Sequence, residues 1–277
     1  MSGKLYLVAT PIGNLDDITF RAVEILKIVD VIAAEDTRHS LKLLNHLGIS
    51  KPLISYHRHN EEDKSEVLIK KILDGENIAI ITDAGTPAIS DPGEEIVKVA
   101  IKNNIEIIPI PGACALINAL IISGMDTKEF SFYGFLPMNK KLRKNKIEEI
   151  KKDKKTIIIY EAPHKILNTL KELNSEIGNI NMVLVKELTK IHETVFRGTI
   201  SEIIPKIENI KGEIIIILEG NKNNDEENAI NLLNELNLEE HYKYYENKGL
   251  EKKEIIKKIA KDKNVNKNEI YKQFLNK

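Results

Sequence analysis

The chain has 277 residues, 42% hydrophobic and 30% charged, with a formal net charge of −1. That balance excludes a disordered chain and any partner that overall charge alone would attract, and the length suffices for two domains and a small appendage. The single cysteine, Cys114, excludes an internal disulfide, no Cys/His cluster has zinc spacing, and no apolar run approaches the roughly 18 residues a membrane span needs.

Residues 4–10 read as a strand that begins without a signal-peptide pattern, so a cytoplasmic protein is expected. The strand runs into Pro11-Ile-Gly13-Asn14, and a helix follows over 19–29 with Phe20, Val23, Leu26 and Val29 at helical spacing. A second strand, 31–34, meets Glu35-Asp36-Thr37-Arg38, where Asp36 or Thr37 suits a helix N-cap. The next helix, 40–47, closes at Gly48. After a third strand, 52–56, come His57-Arg58-His59-Asn60. On a continuing strand the two histidines would share one face; contact to an anion and a solvated loop are the two readings. A helix with a charged outer face is expected over 62–73.

The chain is organised around residues 80–93, Ile-Ile-Thr-Asp-Ala-Gly-Thr-Pro-Ala-Ile-Ser-Asp-Pro-Gly, which join an apolar strand to a helix through a tight loop. Asp83 stands at a strand end, where open α/β sheets bind their ligands. Gly85 lets a ligand approach the backbone, and Pro87 stiffens the loop. A further strand, 106–109, delivers Pro111-Gly112-Ala113-Cys114-Ala115 and the next helix. Strands alternating with helices imply a mostly parallel sheet. Neither GxGxxG nor GxxxxGK[ST] occurs, which weighs against a dinucleotide fold or a P-loop.

Gly124-Met-Asp126 punctuates the chain, and a second α/β half follows with strands at 130–135, 156–160, 182–185 and 213–218. Residues 138–155 hold nine Lys/Arg against three acids, either a solvated helix face or a track for a nucleic-acid backbone. Strand ends deliver Glu161-Ala-Pro163-His164-Lys165 and Lys186-Glu187-Leu188-Thr189-Lys190, with Arg197 close behind. Residues 222–247 read as an acidic linker leading into a helix whose apolar side includes Ile230, Leu232, Leu233 and Leu236. Over 248–277 ten lysines face four acids, and two short helices around a turn at 262–266 outline a helix-turn-helix or a protein-docking pair.

Six blocks carry a family resemblance: Leu-Val-Ala-Thr-Pro-Ile-Gly-Asn-Leu-Asp-Asp-Ile, Ala-Glu-Asp-Thr-Arg, the 82–93 loop, Pro-Gly-Ala-Cys-Ala, Tyr-Glu-Ala-Pro-His-Lys and Lys-Glu-Leu-Thr-Lys. In this order, over about residues 4–220, they resemble the small-subunit ribosomal RNA methyltransferase branch of the tetrapyrrole methylase superfamily, and the tail resembles that branch's helical appendage. Ala113 stands where that pattern more often has proline. The resemblance implies two α/β domains of the tetrapyrrole methylase type, 1–124 and 125–222, with the cofactor cleft between them. A linker and small C-terminal helix-turn-helix-like module, 223–277, complete the expected plan. It further implies S-adenosylmethionine as cofactor, no metal, a homodimer, and 2′-O-methylation of a cytidine in the decoding region of 16S rRNA in the small ribosomal subunit. The implied cofactor shell is Pro11, Gly13, Asp83, Ala84, Gly85, Thr86, Pro87, Ile89, Cys114 and Ala115, with Tyr160, Leu188 and Glu213 from the second half.

Methylating a ribose hydroxyl requires its proton to be removed or polarised by a positioned base. The strand-end clusters offer Glu35, Asp36, Glu161, His164, Glu187 and Lys190. Glu161 or Glu187 is the expected proton acceptor with Lys190 beside them, while Arg38, Lys190 and Arg197 hold phosphates and His164 contacts substrate. Each of these groups could instead belong to a structural ion pair. A tetrapyrrole acceptor and a non-catalytic RNA-binding module are the alternatives.

Overall fold

The computed structural model describes residues 2–221, 233, 236–263 and 265–275. Met1–Gly220 form one compact unit and Asn221–Lys277 another. In the first unit, five strands, β1 (Leu5–Val8), β2 (Val31–Ala34), β3 (Leu53–Ser55), β4 (Ile78–Ile81) and β5 (Ile107–Ile110), form a sheet in the order β3-β2-β4-β1-β5. Every pairing in it is parallel. Its central strands are continuous apolar runs because both faces are covered, one by each of two hydrophobic clusters. The covering helices are α1 (Phe20–Ile28), α2 (Thr37–His46), α3 (Glu61–Leu73) and α4 (Glu94–Lys102). Thr19 caps α1 by accepting the Ala22 amide, and Asp36 caps α2 by accepting the Arg38 amide at 2.8 Å.

The strand before the histidines ends earlier than a shared face would need. β3 stops at Ser55, and Asn60 Oδ1 accepts the His57 amide at 2.8 Å in a turn. His57 and His59 therefore meet edge to face, with ring centroids 6.0 Å apart, rather than lining one strand face.

The second sheet is mixed. Its strands, β6 (Phe130–Phe135), β7 (Thr156–Glu161), β8 (Asn181–Lys186), β9 (Thr194–Thr199) and β10 (Ile214–Leu218), run in the order β6-β7-β10-β8-β9. Only β6 and β7 are parallel; the other three pairings are antiparallel. The β8–β9 pairing is antiparallel because the connection between these strands is too short for a crossover helix. One face carries α6 (Lys140–Lys152), α7 (Ile166–Ile177) and the short α8 (Ile200–Ile203) over an isoleucine- and leucine-rich core.

The other face is covered from the first half of the chain. Helix α5 (Ala115–Ser123) leaves the loop after β5 and lays Leu116, Ala119 and Leu120 against Ile158, Val183, Val185, Ile215 and Ile217. Its opposite face leaves Ile117 and Ile121 exposed.

The C-terminal unit has α9 (Leu238–Glu246), α10 (Lys252–Asp262) and α11 (Lys267–Leu275). Its core joins Leu233, Tyr245, Ile255, Ile256, Ile259 and Ile270. Within it Asp262 accepts a 2.6 Å bond from the Tyr245 hydroxyl and lies 3.2 Å from Nε2 of the buried His241. Burial holds the His241 imidazole below its ordinary pKa despite that carboxylate. Most of the expected linker, with Ile230 and Leu232, lies outside the described residues, as do the side chains of Phe274 and Leu275. Among the described residues no helix is long and apolar enough to cross a membrane.

Leu120 is 3% exposed in the α5 contact. Leu120→Ala is expected to cost about 2–5 kcal/mol of stability, read as a lower urea midpoint for the 1–220 unit of the full chain.

Candidate functional site

Because β10 runs antiparallel to both β7 and β8, its first residue, Ile214, pairs with Glu161 at the end of one and with Lys186 at the end of the other. Three segments distant in sequence thus converge at one edge of the second sheet. Opposite them stand the loops after β1, β4 and β5. Between the two sets lies a cavity of about 360 Å³, within the roughly 300–1,000 Å³ of ordinary small-molecule sites. The first half contributes Ile12, Ala84, Gly85, Thr86, Ile89, Ser90, Asp91, Cys114 and Ala115 to its wall. The second contributes Phe135, Tyr160, Glu161, Ala162, Pro163, Val185, Leu188, Gly212, Glu213, Ile214 and Ile215.

The loop after β4 is held in a conformation that its side chains resist. Thr10 and Gly85 exchange backbone hydrogen bonds of 2.9 and 3.1 Å, and Thr86 Oγ1 donates to the Ala113 carbonyl at 3.0 Å. These bonds tie the loops of β1, β4 and β5 together. Gly85 has φ +87°, and a Cβ there would approach Ile12 to 3.2 Å. Ala88 and Ser90 both have φ +66° without being glycine, a strain of about 1–3 kcal/mol each that the surroundings must over-determine. The Arg58 guanidinium does part of this by donating to the Ser90 carbonyl. The next residue is Asp91, on the cavity wall.

On the opposite side, Tyr160 is the hinge of the contact between halves. Its hydroxyl accepts the Leu116 amide at 3.1 Å in the first turn of α5. Its ring meets Phe132 and Phe135 edge to face at 4.9 and 5.7 Å. Burial first, then the neighbouring Cys114, raises the Tyr160 phenol well above its ordinary pKa, so it remains a neutral hydroxyl. Below Glu213, Lys190 Nζ bridges Glu187 at 2.9 Å and Glu213 at 3.0 Å, while the Glu213 amide donates to Glu187 Oε1 at 2.9 Å. Burial alone would push the Glu187 carboxyl up, but the Glu213 amide and the Lys190 ammonium together hold it below the usual glutamate range.

Of the residues singled out in sequence, Ala84, Gly85, Thr86, Ile89, Cys114, Ala115, Tyr160, Leu188, Glu213 and Glu161 meet on the wall. Pro11, Gly13, Asp83, Pro87, Glu187 and Lys190 stand outside the lining. A Cβ on Gly13 would collide with the Lys190 side chain, so that turn abuts the Glu187–Lys190 loop. Asp83 Oδ1 accepts the Asp36 amide at 3.1 Å. Arg38 is exposed and pairs with Asp36 at 3.5 Å, His164 is exposed, and Arg197 donates to the Ile122 carbonyl near the end of α5. Glu161 is 5% exposed and both its oxygens are engaged, one by the Thr169 hydroxyl at 2.6 Å and one by the Ala162 amide at 2.7 Å. Thr169 is held in turn by Arg143, which pairs with Glu172.

Phe135, Gly212 and Ile215 carry no local signal: Phe135 comes in through the pairing of β6 with β7, and Gly212 and Ile215 through the antiparallel placement of β10. Asp91 lay inside the 80–93 block with no role assigned. It sits with Glu35 and Asp83 at the strand ends of the first sheet. Burial, then the Asp83 charge, raises the Glu35 carboxyl. Burial, then Glu35, lifts Asp91 to about 6 against the pull of Arg58. Among the described residues no group of three or more His, Cys, Asp or Glu could hold a metal ion.

A parallel and a mixed sheet with a ligand-sized cavity between their loops define a two-sheet α/β protein with a small-molecule site. Similar solved folds are diphthine synthase, with a TM-score of 0.61 at 14% identity, covering 78% of this chain and 90% of that one. Uroporphyrin-III C-methyl transferase from Thermus thermophilus, solved with S-adenyl homocysteine, has a TM-score of 0.56 at 16% identity, covering 78% and 97%. Residues 4–204 match the model of Tetrapyrrole (Corrin/Porphyrin) Methylases. The chain is 48% identical to Ribosomal RNA small subunit methyltransferase I of Halalkalibacterium halodurans, over 97% of this chain and 93% of the relative. It is 46% identical to the protein of that name from Bacillus subtilis, with the same coverage. The chain belongs to the tetrapyrrole methylase family, in the branch of the ribosomal RNA small subunit methyltransferases I.

The depressed Glu187 pKa fixes a sign. Its ionised form is favoured by folding, so its contribution is complete above the ordinary glutamate range, about pH 4–5, and is lost as pH falls through the lower folded value. Glu187→Gln is expected to lower the melting midpoint at pH 7 and to converge on wild type as the pH falls toward about 3, checked by calorimetry across that range.

Proposed function

We propose that this chain is an S-adenosylmethionine-dependent ribosomal RNA methyltransferase whose acceptor is the 2′-hydroxyl of a cytidine in the decoding region of 16S rRNA. The observation that carries the proposal is the cavity between the two sets of strand-end loops, in a chain 48% identical nearly end to end to a Ribosomal RNA small subunit methyltransferase I.

The lining suits the donor. Ile12, Val185, Leu188 and Ile215 supply apolar walls for an adenine, and the glycine-bent backbone at 84–86 and 212–213 supplies amide and carbonyl contacts. The Tyr160 ring and the Asp91 carboxylate suit a sulfonium cation. S-adenosylmethionine, held there, supplies the methyl group. What the protein must add is geometry: an acceptor oxygen held about 3 Å from the methyl carbon and opposite the sulfur, in a site kept free of competing water.

Two basic regions attract the polyanionic acceptor. On α6, Lys140, Lys141, Lys144, Lys151 and Lys152 are exposed while Ile147 and Ile150 face the core. In the C-terminal unit, α10 buries Ile255, Ile256 and Ile259 and leaves lysines outward. Partial neutralisation of phosphates by such lysines releases counterions, which makes binding steeply salt-dependent.

The direct test is to give the full chain labelled S-adenosylmethionine with 30S particles, and separately with a corrin precursor, and to map the label by mass spectrometry. Methyl on a cytidine ribose is expected. Label only in the corrin precursor, or on a base, would sink the proposal. Donor binding is expected as a saturable calorimetric signal. Replacing Lys140, Lys141 and Lys144 with alanine is expected to flatten the plot of log affinity for RNA against log salt by about 2, since each lost single-strand contact removes about 0.7.

A further inference from the structure

Glu161 and Glu187, the carboxylates favoured by sequence position, are both occupied: the first by Thr169 and the Ala162 amide, the second by Lys190 and the Glu213 amide. Glu161 is tied on both oxygens, and Glu187 takes both its bonds on Oε1 and stands outside the cavity lining; a carboxylate engaged in this way is a poor proton acceptor, because accepting a proton weakens the bonds that hold it. Asp91 is not tied in this way. It lies on the cavity wall, and no hydrogen bond from the described residues contributes to its ionisation. The charged and titratable groups around it come from every neighbouring strand end. Glu35 follows β2, Arg58 and His57 follow β3, Asp83 follows β4, and Tyr160 lies next to the end of β7 across the cavity. Two of these are like charges that favour a proton on Asp91, and Arg58 opposes them.

Resting on the methyltransferase reading above, we propose that Asp91 is the catalytic base that accepts the proton of the acceptor hydroxyl. In that step an Asp91 carboxylate oxygen takes the hydroxyl proton while the acceptor oxygen forms its bond to the methyl carbon. The sulfur–methyl bond breaks and its electron pair stays on sulfur, turning the sulfonium into a neutral thioether. The proton then leaves Asp91 for water, restoring the carboxylate. The raised pKa of about 6 serves this cycle: the group is ionised and ready at neutral pH, yet more basic than an ordinary aspartate. The strained turn at Ala88 and Ser90, clamped by Arg58, fixes the backbone immediately before it.

The test compares full-length wild type, Asp91→Asn and Asp91→Glu in single-turnover methylation of 30S particles, with calorimetric titration of S-adenosylmethionine alone. At saturating donor, Asp91→Asn is expected to slow transfer by about 10²–10⁴-fold, a loss far larger than any fall in donor affinity. Wild-type rate is expected to rise with pH through an inflection near 6, an inflection absent from the residual rate of Asp91→Asn and retained by a partly active Asp91→Glu. Removing a charge repelled by Glu35 and Asp83 is also expected to leave the melting midpoint of Asp91→Asn at pH 8 at or above wild type. Transfer within threefold of wild type overturns the assignment. So does a loss of donor affinity that accounts for the loss of rate, or a lower midpoint in Asp91→Asn. Wild type that labels no RNA would instead overturn the methyltransferase reading and this proposal with it.

Discussion

The structure of the 1–220 unit depends on one contact, the seating of α5 across the face of the second sheet. That helix begins where the first sheet delivers its last loop, and its Leu116, Ala119 and Leu120 are buried against β7, β8 and β10. The Tyr160 hydroxyl then accepts the Leu116 amide, satisfying a donor that a helix start leaves open. Apolar burial brings the two sheets together without direction; the hydrogen bond gives the contact its register. With α5 so placed, the loops after β4 and β5 can only face the ends of β7 and β8, and the cavity is what remains between them.

A second constraint acts on the loop after β4. Positive φ at Ala88 and Ser90 is stored strain, and it persists because the backbone on either side is fixed, by the Thr10–Gly85 exchange before it and the Gly93 turn into α4 after it. Glu187 and Thr189 repeat the pattern across the cavity, with φ of +53° and +66°. Strained backbone beside wall residues on both sides of one cavity, next to Asp91 on one and flanking Leu188 on the other, and ion pairs such as Glu187–Lys190, describe a site whose shape is set before any ligand arrives.

Much of this was legible in the sequence where the signal was local. Val31 to Ala34 reads as a buried strand because four apolar residues fill it, and Asp36 reads as a cap because its neighbours begin a helix. The parallel first sheet followed from strict alternation of strand and helix. The second sheet was illegible in two places. Helix α7 passed unnoticed. Strand β9, Thr-Val-Phe-Arg-Gly-Thr, was hidden by its polar residues and glycine, so the antiparallel turn back from β8 was missed. The site divided in the same way. Residues on a single loop, such as Gly85 and Cys114, could be named from that loop. Gly212 and Ile215 reach the cavity only through pairing of β10 with β7 and β8, a long-range fact with no local trace.

The near-zero net charge hides an arrangement that the proposed chemistry requires. Carboxylates concentrate at the inner strand ends, in Glu35, Asp83 and Asp91, where burial weakens screening and makes each charge act strongly on its neighbours. Lysines concentrate on α6, exposed to solvent, where salt limits their reach to about 8–10 Å. A cationic donor and an anionic acceptor place opposite demands on one protein, and the two demands are met at different depths. Negative charge inside would repel a phosphate, so the acceptor's backbone belongs at the surface and only the reacting sugar can enter. Under the proposed reading, the same carboxylates that favour a sulfonium in the cavity also keep the RNA backbone out of it.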